Sequence, residues 1–182
     1  MGALPRPLIG FVRHVDRLNY GLGRVAMYLL FVLMAVLLWS SLSKTFFNPS
    51  LWTLEMAQFI MVAYFILGGP YAMQMGAHVR MDLFYAQQSP RRRALWDAFT
   101  IFTLIFYLGV MVWGAWDSFS YSLSLTWDGF IPELGRLERS ATAWRPYLWP
   151  IKLLMLLGFV MMLLQCIAAL IRDIAKIRGE DI

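Results

Sequence analysis

Residues Leu153–Ile171 read LLMLLGFVMMLLQCIAALI, and no Asp, Glu, Lys, Arg or His interrupts them. A helix needs about 20 predominantly apolar residues to cross roughly 30 Å of hydrocarbon. A soluble core helix rarely stays uncharged for five turns, because at least one of its faces must meet water. Three further stretches share this property: Val25–Ser43, Met56–Ala77 and Ala98–Trp116. The expected architecture is therefore an all-α integral membrane protein. It is expected to form a single membrane domain over 1–182, with four transmembrane helices at about 25–43, 55–77, 96–116 and 150–171.

The composition agrees with that reading. Hydrophobic residues make up 60% of the chain and charged residues 15%, against about 25% charged in ordinary soluble domains. The net charge of +5 does not point to nucleic acid, because the basic residues sit at the ends of the apolar runs, as an orientation signal does. The lone cysteine, Cys166, precludes an intramolecular disulfide or a thiolate cluster. Arg6, Arg13, Arg17 and Arg24 precede the first apolar run as in a signal peptide, but the run is too long and lacks a small-x-small cleavage pattern. An uncleaved anchor is expected.

Basic residues set the orientation. Eleven Lys and Arg lie in the N-terminal tail, the second connection and the C-terminal tail, against five in the first and third connections. The positive-inside rule then places both termini in the cytoplasm and the long third connection, 117–150, in the periplasm. Trp39, Trp52, Trp113, Trp116, Trp144 and Trp149 fall near the outer ends, and Trp96 near the inner side. Outside the spans, 8–20 carries Leu8, Phe11, Val12, Val15 and Leu18 at helical spacing with Arg13, Asp16 and Arg17 between them. That pattern predicts a short amphipathic helix lying in the membrane interface. The third connection is too long and too aromatic for a simple turn, and long loops are often functional.

The second span holds most of the candidate residues. Gly68, Ala72 and Gly76 recur every four residues, a small-residue stripe that lets another helix approach closely. That helix could belong to this chain or to another protein. Pro70 removes one backbone hydrogen bond and predicts a kink. Glu55 stands at the outer start of the helix, where a carboxylate complements the dipole. At the inner end, His78 and Asp82 flank Arg80 at i,i+4 spacing and would pair if the helix continued. No metal is expected there, since the only other histidine is His14 in the tail.

No nucleophile–base arrangement and no Gly-rich phosphate loop is visible. Neither catalysis nor a cofactor is expected. None of the spans carries an acid or base at its middle, where a coupled transporter normally keeps an ionisable group or an unwound segment. The chain looks built to assist transport rather than perform it alone. Two other readings compete: a self-sufficient four-helix proton-coupled exporter with Glu55 as its proton site, and a non-catalytic membrane assembly factor. A redox-complex anchor is disfavoured by the histidine count.

The residues also carry a family resemblance. Leu51-Trp52-Thr53-Leu54-Glu55, an apolar helix with Gly68-Gly69, then Gly76-Ala77-His78-Val79-Arg80-Met81-Asp82 resemble the small DctQ-type membrane subunit of tripartite ATP-independent periplasmic (TRAP) transporters. A second match, Ser140 to Lys152 with Trp144, Arg145 and Trp149, resembles the approach to the fourth helix in one branch of these subunits. The resemblance implies a bacterial inner-membrane partnership with two proteins. One is a large multi-spanning subunit holding the substrate and sodium sites, and the other is a periplasmic binding protein delivering an organic acid. It further implies that the small subunit braces the large one and offers part of the docking surface. On this basis Glu55, His78 and Asp82 are expected to hold the second helix in place, and Trp144, Arg145 and Trp149 to form the outer interface. The Arg136-Leu137-Glu138-Arg139 stretch has no place in the family pattern.

Overall fold

The computed structural model describes residues 6–76, 90–123 and 137–178, with the side chains of 90–98 and 176–178 excepted. Four helices make up the described chain: α1 (Arg6–Phe46), α2 (Thr53–Gln74), α3 (Pro90–Ser122) and α4 (Trp149–Arg178). Each contains a segment long and apolar enough to cross a membrane. The only β-type pairing among the described residues is a single bridge between Arg139 and Tyr147.

The helix limits follow from local chemistry. Pro7 sits in the first turn of α1, where its missing N–H costs nothing. The helix stops at Phe46 because Asn48-Pro49 follows, and the residue before a proline avoids helical backbone. Likewise Pro90 opens α3 and Pro150 occupies the first turn of α4. Pro70 lies inside α2, buried, and the helix carries on past it to Gln74.

Two expectations need correction. The separate interfacial helix at 8–20 is instead the first part of α1, an unbroken helix of 41 residues. Its apolar face does not lie free for a membrane surface: Val12 and Val15 pack with Ala168 of α4, flanked by Phe11, Leu164 and Ile171. An amphipathic repeat states only that one face is covered, and here a neighbouring helix covers it. The second span also ends earlier than 77. Gly76 adopts φ +65, and the Met75 and Gly76 amides bond back to the Tyr71 and Met73 carbonyls. Gly76 is thus the left-handed residue that closes α2, a conformation glycine tolerates best. The expected spans 25–43, 96–116 and 150–171 fall within α1, α3 and α4.

α1, α2 and α4 pack mutually, and α3 packs along α4. Glycines set the closest approaches. A Cβ on Gly158 would stand 1.9 Å from Ile66 Cγ2 and 3.3 Å from the Ile66 carbonyl oxygen, and one on Gly23 would stand 2.3 Å from Tyr71 Cγ. Without a hydrophobic drive between helices in lipid, such backbone proximity supplies the dispersion contact that holds them. Ile66 is β-branched and cannot swing aside. Gly158→Ala is therefore expected to destabilise the isolated chain by about 1–3 kcal/mol, read as a lower melting temperature in detergent.

Side-chain pairs fix the directions. Ser40 meets Thr53, and Asn19 meets Gln165. With Gly23 against Tyr71 and Asp16 against Arg172, these pairs show α1 antiparallel to α2 and α4. One end of the bundle thus gathers the end of α1, the start of α2, the end of α3 and the start of α4. The opposite end carries Arg13, Arg17 and Arg172.

Candidate functional site

Three places in the bundle bring chemistry-bearing residues together. The first is the end where α2 begins. Glu55, in the first turn of α2, is only 4% exposed. Its Oε1 accepts hydrogen bonds from Ser140 Oγ at 2.5 Å and from Thr142 Oγ1. Its Oε2 has no partner among the described residues. Beside it, Ser40, Ser43, Ser50 and Thr53 form a hydroxyl cluster: Ser50 Oγ lies 3.2 Å from Ser43 Oγ and 3.0 Å from Thr53 Oγ1. Thr53 Oγ1 in turn reaches Ser40 Oγ at 3.1 Å. The cluster satisfies groups that the tight α1–α2 connection would otherwise bury unpaired.

Ser140 and Thr142 belong to a hairpin-like segment, residues 138–148. The Ser140 amide donates to the Pro146 carbonyl at 2.9 Å, and the Leu148 amide to the Glu138 carbonyl at 3.2 Å. At its base, the Glu138 amide bonds to the Ser122 carbonyl that ends α3. Lys152 of α4 pairs with the Glu138 carboxylate and reaches the Ser118 carbonyl at 3.3 Å. Arg139 stacks 4.5 Å over the Tyr147 ring and donates to its hydroxyl. Of the stretch that has no place in the family pattern, Glu138 and Arg139 form the base of this hairpin, and Arg136 lies outside the described residues. Near its tip, Trp144 and Arg145 are exposed, and Arg145 adopts φ 49 just before Pro146, a conformation that costs a non-glycine residue about 1–2 kcal/mol. Trp149 starts α4 and is half-buried.

The second place is the open face of α2. Leu54, Gln58, Met61, Phe65, Gly68, Ala72 and Met75 follow one another at intervals of three and four residues, one side of a helix. Phe65 is 62% exposed, and a Cβ on Gly68 would meet nothing within 4 Å. Gly69, one residue on, meets Met162 of α4 instead. The helix therefore spends Gly69 on its own chain and leaves Gly68 and Ala72 as a shallow slot bordered by bulky side chains. His78, Arg80 and Asp82 lie outside the described residues, so they are not placed relative to either feature.

The third place was missed from sequence. Asp16 pairs with Arg172, Gln165 Nε2 donates to Asp16 Oδ1 at 3.2 Å, and Asn19 Nδ2 donates to Gln165 Oε1 at 2.5 Å. Asn19 and Gln165 are fully buried. This polar chain ties α1 to α4. Its signal was available, since Gln165 is the one amide inside an otherwise apolar run, but a search for ionisable groups passes over it. Asp16→Ala would leave Arg172 facing a void and is expected to cost about 1–3 kcal/mol, read as a lower melting temperature that Arg172→Met in the same chain partly restores.

The arrangement holds no reactive constellation among the described residues; it consists of interhelix ties, a pinned hairpin and an open small-residue slot. Such features suit a subunit that assembles with others. Comparison with known families fits this. The sequence matches the family described as tripartite ATP-independent periplasmic transporters, DctQ component, over residues 33–176. The chain belongs to the DctQ family. Among curated proteins none matches it. As a DctQ-family chain it is a transporter component, and its four apolar helices are those of a multi-pass membrane protein. The matched region takes in Glu55, the α2 slot, the hairpin and Gln165, while Asp16 and Asn19 lie before it.

Proposed function

We propose that this DctQ-family chain is the small membrane subunit of a sodium-coupled uptake transporter for organic acids in the bacterial inner membrane. It braces the large substrate-translocating subunit and helps to dock the periplasmic binding protein. The open face of α2 carries this reading. Lipid chains fill a slot at Gly68 and Ala72 poorly, whereas a helix with a matching ridge fills it well. By contrast, the exposed faces of α1 and α3 present Phe31, Leu38, Phe99, Phe102, Phe106 and Trp113, bulky side chains that suit lipid. Glu55 supports a bracing role rather than a proton-coupling one, because Ser140 and Thr142 hold it at the end of the bundle and away from its middle. The hairpin fits a docking surface on the periplasmic side, with Trp144 and Arg145 exposed upon it.

Reconstitution tests this directly. Vesicles containing this chain and the large subunit, supplied with the binding protein and an inward sodium gradient, are expected to accumulate an organic acid. Vesicles lacking this chain are expected to show none. Equal uptake without it would remove the proposed role.

A further inference from the structure

Glu55 carries a charge that its surroundings do not balance. The residue is 4% exposed, and a buried carboxylate is costly unless it is paired or binds a metal ion. Ser140 and Thr142 both donate to Oε1, so Oε2 is buried with no partner among the described residues. A glutamate at the third helical position commonly turns back to the amide of the capping residue. Glu55 stands at that position after Trp52, yet its second oxygen makes no such bond. Basic side chains at the hairpin base are engaged elsewhere: Lys152 pairs with Glu138, and Arg139 stacks on Tyr147. No ion pair reaches Glu55 among the described residues. The α2 dipole supplies only about half a positive charge at this end.

The two hydroxyls point to what completes the balance. An ionised carboxylate only accepts, so Ser140 and Thr142 each commit their single proton to Oε1 and keep two lone pairs. Their oxygens lie 3.2 Å apart, with no proton left to stand between them. A cation bridges such a pair. For two oxygens set at right angles on one ion, that edge implies bonds of about 2.3 Å, the lower end of the range for a calcium-sized cation. Sodium has this size and a single charge to match one carboxylate, whereas calcium gathers about six to eight oxygens. No group of three His, Cys, Asp or Glu side chains occurs among the described residues, so a transition metal has no ligand set here.

We propose that Glu55 Oε2, Ser140 Oγ and Thr142 Oγ1 form one side of a sodium site that fastens the 138–148 hairpin to α2. Thr142 is exposed, so the ion enters past it and water completes the coordination from that side. The hydroxyl ligands stand 85 and 87 residues from Glu55 in sequence. The ion therefore joins two elements that no short connection holds together. The site needs only this chain and stands apart from the transport role proposed above.

The full chain in detergent is digested with trypsin in sodium, potassium or choline chloride at equal ionic strength. Cleavage after Arg139, exposed on the hairpin, reports its release. A ligand at about ten times its dissociation constant lowers the open population about tenfold, so cleavage is expected to slow about tenfold in saturating sodium against choline. Potassium is expected to protect less. Glu55→Gln is expected to abolish the difference between salts, and Thr142→Val to raise the sodium concentration at half protection. Stoichiometric retention of labelled sodium by the parent chain, lost in Glu55→Gln of parent-like melting, gives a readout independent of proteolysis. Equal cleavage in sodium and choline would overturn the proposal. So would a sodium effect that survives in Glu55→Gln, which places the ion elsewhere, or protection by calcium in place of sodium.

Discussion

Gly68→Leu is expected to reduce recovery of a complex between this chain and the large membrane subunit by about tenfold or more, while leaving the isolated chain as stable as before. The reasoning starts from space. A side chain at Gly68 meets nothing within this chain, so leucine imposes no internal strain. A partner helix seated in the Gly68–Ala72 slot would be pushed out by a side-chain width. Overpacking of that kind costs about 1–3 kcal/mol, and each 1.4 kcal/mol is about tenfold in affinity. Two controls give the result its meaning. Gly158→Ala should lower stability first, because it strikes Ile66, and Phe106→Leu on α3 should do neither. If Gly68→Leu co-purifies like the parent chain, the slot is not the docking face.

The second large effect is expected at Glu55. Glu55→Ala removes the acceptor that holds both Ser140 and Thr142, across 85 residues of sequence in the first case. Hydrogen bonds to a charged group are worth about 1.5–3 kcal/mol each, and the two share one oxygen, so a loss of about 2–4 kcal/mol follows. The loss should be local in its first consequence: the hairpin at 138–148 loosens from α2, and proteolysis after Arg139 or Arg145 accelerates. Glu55→Gln retains one acceptor oxygen and is expected to lie midway. Because the three side chains form one unit, Ser140→Ala with Thr142→Val should add little to Glu55→Ala, the non-additivity typical of contacting residues. Parent-like melting and proteolysis in Glu55→Ala would show that the hairpin is held elsewhere, for instance by Lys152 and Glu138.

The limits of sequence reading follow from what each signal encodes. The four spans were legible because an uncharged run of five turns has few alternatives to a bilayer. The single helix of α1 was not, because the Leu8–Leu18 repeat describes a covered face without naming what covers it, and Ala168 lies more than 150 residues away. The helix-ending role of Gly76 is hidden for a related reason. A spacing of four puts Gly68 and Gly76 on one face, but only backbone dihedrals distinguish a packing glycine from one that ends a helix. Glu55 was recognised as a helix-start carboxylate, yet its partners could not be, since Ser140 and Thr142 reach it through a fold-back of the third connection. The same holds for Asn19 and Gln165, whose pairing depends on the antiparallel register of α1 and α4.

The central claim is that α2 presents its open face to the large subunit. A photoreactive residue introduced at Phe65, beside the Gly68 slot, and another at Phe106 on α3 test it in the assembled membrane complex. The account predicts a covalent adduct with the large subunit from position 65 and none from position 106. An adduct from position 106 with none from position 65 would contradict it.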